Sequence, residues 1–244
     1  MDKIEIKTRD GLCPSYVFRP EGQGPWPAIL FFMDGPGIRP TLFEMGERMA
    51  KAGYVVLLPD LFYRSGPYEP MNPAVVFTDP EKRKVVIEKY FSKANPPNVM
   101  SDTAAFLDYL EAQPDVKAGA IGVTGYCMGG RMALFAAGTY GDRIKVIASF
   151  HGGNLAVDQP DSPHLLADKI KAKVYVAGAI EDAGFTEAHK QTLEDALTKA
   201  GVDHKVETYP ARHGWVPPDT HAYDRACAER HWETLFDLFG GALK

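Results

Sequence analysis

The chain has 244 residues, with 27 Lys and Arg against 32 Asp and Glu and a formal net charge of -5. Hydrophobic residues are 45% and charged residues 24%, the balance of a globular protein in water; the net acidity argues against nucleic acid as a partner, and no apolar run approaches the roughly 20 residues that span a bilayer. Three cysteines, Cys13, Cys127 and Cys227, fall at unrelated spacings, which speaks against a disulfide framework or a zinc site and for a reducing compartment. The opening "MDKIEIKTRDG" is too polar for a signal peptide, so a cytoplasmic location is expected. The length suits one α/β domain over 1–244.

In chain order, "KIEIKTRDGLCPSYVFRP" reads as two strands around the turn Asp10-Gly11, a hairpin signal. "WPAILFFM" and "YVVLLPD" are continuous apolar runs of strand length, as expected for strands buried on both faces. Between them "TLFEMGERMAKAG" has helical spacing at Leu42, Met45, Met49 and Ala52, with a capping box predicted from Thr41 and Glu44 and a stop at Gly53. Residues 61–80 are proline-rich and irregular, long enough for a functional loop. Helices are predicted from Asp79 or Pro80 to Phe91 and over 101–112, separated by "ANPPN". "AGAIGVTG" is a strand, 129–138 a helix, "KVIASFHGG" and "AKVYVAGAIED" strands, 186–200 a helix closed by Gly201, "HKVETYP" a strand, and 222–239 the last helix. Buried strands alternating with amphipathic helices imply a mostly parallel central sheet with helices on both faces and an antiparallel N-terminal hairpin.

Open parallel sheets place their sites at the carboxyl ends of the strands. Those ends here carry Asp34, Cys127, the pair Glu181-Asp182, and His213. "GYCMG" fits a nucleophile elbow with sulfur in place of oxygen: Gly125 and Gly129 allow the sharp strand-to-helix turn that pushes Cys127 outward. The turn sets Cys127 at a helix N-terminus, where the dipole favours a thiolate. Backbone N–H groups of Met128 and Gly35 are the expected oxyanion donors. A cysteine in such a turn can also be an inert buried one; the acid and histidine following in order favour catalysis. His213 is preferred as base over His151, which also follows a strand, and Asp182 over Glu181 as its orienting acid. His189, His221 and His231 are expected at the surface.

On these residues the chain resembles the dienelactone hydrolase family, within the α/β-hydrolase fold. "GYCMGG", "GAIEDAGF", "RHGW" and "FFMDGPGIRPTLFEMGERMAKAGYVVLLPDLFYR" carry the likeness over nearly the whole chain. It implies a carboxymethylenebutenolidase-like hydrolase of small esters or lactones, acting through Cys127, His213 and Asp182 and a thioester, with no cofactor or metal. It implies a small-molecule substrate, no nucleic acid or membrane, and a monomer or small homo-oligomer. The family's type enzyme carries a glutamate that takes the thiol proton; here Asp34, one methylene shorter, stands at that position, with a loop-positioning role as the alternative. The type enzyme clamps a substrate carboxylate with two arginines. Arg83 or Lys84 matches one; the other is missing, leaving Arg64, Arg39 or Arg212 as replacements, or a substrate without that carboxylate. His151, Trp215 and Phe185 are candidates for the pocket lining. Two rival readings use the same fold: a thiol-based redox sensor and a non-catalytic binding protein.

Overall fold

The computed structural model describes residues 1–244. Eight strands form one sheet: β1 (Asp2–Thr8), β2 (Gly11–Phe18), β3 (Trp26–Phe32), β4 (Val55–Pro59), β5 (Val116–Tyr126), β6 (Val146–Phe150), β7 (Lys173–Ala179) and β8 (His204–Tyr209). Their order is β1-β2-β4-β3-β5-β6-β7-β8. β2 pairs antiparallel with both β1 and β4, and every other pairing is parallel. The hairpin turn falls on Arg9-Asp10, because Thr8 pairs with Gly11, one residue earlier than the dipeptide signal predicts.

The central strands are apolar for a physical reason. Helices cover both faces, so β4 and β6 are buried at every position and alternation would place polar groups in the core. The flanking helices are α1 (Pro40–Lys51), the short α2 (Pro73–Val76) and α3 (Pro80–Val85), α4 (Pro96–Glu111), α5 (Met128–Thr139), α6 (Glu187–Lys199) and α7 (Arg225–Leu243). α3 runs on into a π-helical turn, Val86–Phe91.

Three local expectations are corrected. The capping box at Thr41 and Glu44 does not form: α1 starts a residue earlier, with Pro40 at its first turn and Arg39 as an uncapped N-cap. Pro supplies helical φ at that position and lacks only an N–H that would be orphaned there. The same physics makes "ANPPN" an initiator. Asn95 caps the N–H of Asn98 and the prolines open α4, so the helix starts well before residue 101. His231 is fully buried on α7, with Nε2 2.7 Å from the Tyr126 hydroxyl. Burial pushes its ring down to about 3, so it is a neutral core residue. No helix is long and apolar enough to cross a membrane.

Candidate active site

The chain leaves β3 for β4 on one side and leaves β5 for β6 on the other, so the switch point of the sheet lies between β3 and β5. Cys127 follows β5 at this point, at φ 55 and ψ -116. A positive φ costs a non-glycine residue about 1–3 kcal/mol and persists only when the surroundings over-determine it. They do so here. The Cys127 N–H donates to Phe150 O and to His151 Nδ1, both at 3.1 Å. The Cys127 carbonyl accepts from the N–H groups of Gly130 and Arg131 at 3.1 and 3.3 Å. The glycines are needed for close approach. A Cβ on Gly125 would lie 2.1 Å from Gly129 O, and one on Gly129 would lie 2.3 Å from Phe32 O.

His213 lies in the loop after β8, and Asp182 in the loop after β7. His213 Nδ1 is 2.7 Å from Asp182 Oδ2, and Asp182 Oδ1 accepts the Gly184 N–H at 2.8 Å. Burial disfavours charge on both groups. For His213 the Cys127 sulfur and the Asp182 carboxylate outweigh it, and the ring is pushed up to about 10. For Asp182 the His213 ring and the N–H groups of Gly184 and Phe185 outweigh it, holding the carboxyl below its ordinary range. The neighbouring Glu181 turns outward to an exposed pairing with Arg212 at 3.7 Å. Asp182 is therefore the acid on the ring.

His151 stands on the other side of the elbow. It is buried, at φ 41, with its ring 5.1 Å from that of His213 and 4.9 Å from that of Trp215. Burial, then the charges of His213 and His231, push it well below the ordinary histidine value. Its Nδ1 accepts the Cys127 N–H, so the ring is neutral with its proton on Nε2. Its place is that of a support for the elbow. Trp215 is fully buried, stacked on Tyr209 at 5.1 Å. It thus backs His151 from the side of β8. Phe185 is likewise buried, against Gly178.

The first N–H of α5 belongs to Met128, and the helix geometry leaves it without an intrahelical acceptor. Gly35 lies in the loop after β3, beneath Phe77 and Phe91: a Cβ there would meet their Cζ atoms at 2.8 and 3.0 Å. The segment between β4 and α4 thus places two aromatic rings over this loop. His221 ties that segment to the loop after β8 by donating from Nε2 to Ala74 O at 2.8 Å. The sequence reads as an irregular loop over 61–80 and a helix from there to Phe91, and gives no sign that Phe77 and Phe91 meet over Gly35.

The charged candidates fall differently from expectation. Asp34 is buried and held bidentately by Arg39 at 2.5 and 2.9 Å. Arg39 is itself buried and grips Asp219 at 2.6 and 3.1 Å. Asp34 thus anchors its loop, the alternative role, and Arg39 is committed. Arg64 is corrected as a pocket residue: it binds Asp102 at 2.7 and 2.8 Å and Asp10 at 2.7 Å, because the buried Asp102 on α4 needs a counter-charge. Arg83 and Lys84 are exposed on α3, in a groove shared with Phe77, Ile87 and Glu88.

A strained residue between strand and helix at the switch point of a mostly parallel sheet, with a histidine–acid pair on the next strand ends, defines an α/β hydrolase. Residues 13–243 match the model of the dienelactone hydrolase family. The chain belongs to that family and is a carboxymethylenebutenolidase-like hydrolase of the ester and lactone class. A relative from Synechocystis sp., named "Putative carboxymethylenebutenolidase", is 28% identical over 254 residues, spanning 99% of each chain. Among solved structures, a dienelactone hydrolase-like promiscuous phosphotriesterase from metagenomic libraries superposes with a TM-score of 0.83 at 23% identity, over 100% of this chain and 98% of its own. A dienelactone hydrolase from Anabaena variabilis gives 0.70 at 18% identity, over 100% and 98%. These two likenesses are of fold.

Proposed function

We propose that the chain hydrolyses a small ester or lactone through a Cys127 thioester, with Cys127, His213 and Asp182 as a catalytic triad. The observation that carries this is the Asp182-bound His213, its positive charge favoured by the Cys127 sulfur beside it. Such a pair supplies a thiolate without a separate base at the moment of attack. The thiolate adds to the carbonyl carbon, and the N–H groups of Met128 and Gly35 receive the oxyanion. The bond to the alcohol oxygen then breaks, and the His213 proton goes to that oxygen. His213, now neutral, takes a proton from water, whose oxygen attacks the thioester. Collapse releases the carboxylic acid and restores the thiolate–imidazolium pair. Asp182 holds the imidazole in the productive tautomer throughout.

Neutral aryl esters and lactones suit the site at least as well as carboxylate-bearing dienelactones. Arg39 and Arg64 are bound to Asp34, Asp219, Asp10 and Asp102, which leaves only the exposed Arg83, Lys84 and Arg212 for a carboxylate. Three free cysteines suit a reducing cytoplasm. The test is a rapid quench with p-nitrophenyl acetate, read by intact-protein and peptide mass spectrometry. An acetyl group on Cys127, absent in Cys127→Ala together with turnover, is the expected result. Turnover that survives Cys127→Ala overturns the proposal. A dienelactone compared with its uncharged methyl ester reads the substrate class: kcat/KM strongly favouring the charged compound, and weakening with salt, counts against the neutral assignment.

A further inference from the structure

A cleft of about 500 Å³ opens at the β1–β2 edge of the sheet, between the hairpin, the start of α1 and the segment after β4. None of Cys127, His213 and Asp182 lines it. Its lining includes Tyr16, Phe43, Tyr63 and Tyr68 together with Lys3, Asp60 and Arg39, the last already paired with Asp34 and Asp219. Asp60 Oδ1 accepts the Phe62 N–H at 2.9 Å and the Tyr68 hydroxyl at 3.0 Å, whereas Oδ2 has no hydrogen bond within the protein. Burial raises the Asp60 carboxyl, partly offset by the Phe62 N–H, the Tyr68 hydroxyl and, least, the positive charge of Lys3. The Lys3 ammonium stands 6.0 Å from the centroid of the Tyr16 ring, the outer reach of a cation–π contact.

We propose that this cleft is a second binding site, for the trimethylammonium-type head of a small organic cation. Each alternative head group fits less well. The Asp60 carboxylate repels anions, and the Arg39 charge that would attract them is already matched by Asp34 and Asp219. A guanidinium recognises a carboxylate through two free oxygens, and here one is already bound twice. A metal ion needs further hard ligands, and no group of three His, Cys, Asp or Glu side chains is clustered in the protein. A quaternary ammonium needs no hydrogen bonds. It is held by aromatic rings and by one uncommitted negative charge; Tyr16, Phe43, Tyr63 and Tyr68 line the cleft with Asp60 Oδ2, the Arg64 guanidinium taking one face of Tyr63 at 4.7 Å. The volume lies within the range of small-molecule sites, about 300–1,000 Å³. Lys3 is the internal competitor: its ammonium already occupies the outer face of Tyr16.

The experiment titrates the full chain with choline, and separately with the neutral isostere 3,3-dimethylbutan-1-ol, by calorimetry. Saturable choline binding, about tenfold or more tighter than the alcohol, is expected for a cation–π site with a carboxylate. Lys3→Met should tighten choline binding severalfold and leave the alcohol unchanged. Tyr16→Leu and Asp60→Asn should weaken choline about tenfold. If Asp60→Asn fails to fold, the rim variants Lys3→Met and Tyr16→Leu decide the matter. Equal affinity for choline and the alcohol, or no gain from Lys3→Met, overturns the inference. Cys127→Ser should bind choline as the wild type does. Loss of binding there would place the cation in the hydrolytic site and overturn the second site, while the hydrolase proposal is judged separately by its acyl-enzyme test.

Discussion

Gly129→Ala probes the crossing that sets the nucleophile against the oxyanion loop. The added Cβ would stand 2.3 Å from Phe32 O and 2.5 Å from Met33 O, where ordinary contact begins at 3.4 Å. Both are backbone oxygens, Phe32 O at the end of β3, which is paired with β4 and β5, and Met33 O in the next peptide, so neither moves aside as a side-chain tip would. α5 must retreat by about 1 Å, the difference between those distances. Overpacking of this kind costs about 3 kcal/mol, the upper end for inserted methylenes. For a chain of this size that corresponds to a fall in Tm of roughly 6–12 °C. The same retreat moves Cys127 relative to the Gly35 N–H, and a misplacement of about 1 Å can reduce rate about 100-fold. Thermal denaturation and kcat/KM on a p-nitrophenyl ester measure both effects. Gly241→Ala is the control, because a Cβ on Gly241, near the end of α7, meets nothing within 4 Å. It should be neutral or stabilising by up to about 1 kcal/mol. If Gly129→Ala matches that control in Tm and activity, the close crossing is not what positions the site.

His213→Ala should lower kcat/KM by about 10²–10⁴-fold, the worth of a general acid–base, and His151→Ala by less; the reverse order would make His151 the base. Cys127→Ser should keep the wild-type Tm and lose most turnover, since a hydroxyl depends on stronger base help than a thiol; a serine variant as fast as wild type shows that proton removal does not limit the rate. Arg39→Met strands the buried Asp34 carboxylate and should cost about 3–5 kcal/mol in urea denaturation; an unchanged midpoint would show that Asp34 does not need the pairing. His213, raised from 6.5 to about 10, binds its proton more tightly in the folded chain. The resulting stabilisation is complete below pH 6.5 and is lost as pH rises through about 10. The urea midpoint should therefore fall between those values more steeply in wild type than in His213→Gln, and equal slopes would remove the charged imidazole from the account.

Much of the architecture was legible because it rests on local rules. Apolar runs bounded by turns marked the buried strands, and glycines spaced around Cys127 marked the only kind of bend that such an elbow allows. The order of nucleophile, acid and histidine along the chain followed from which strand ends came next. Helix starts were misread where proline acted as an initiator, at Pro40 and Pro96, because the same residue also ends helices and only its neighbours in space tell the two apart. Partner choice for Arg39 and Arg64 was beyond the sequence. Arg39 meets Asp219 across 180 positions, and Arg64 meets Asp102 across 38. A buried charge takes whichever opposite charge the packing delivers, which local spacing does not encode. Only the tertiary structure put His231 in the core against Tyr126 and laid Phe77 and Phe91 over Gly35, because burial and ring placement depend on which elements pack together.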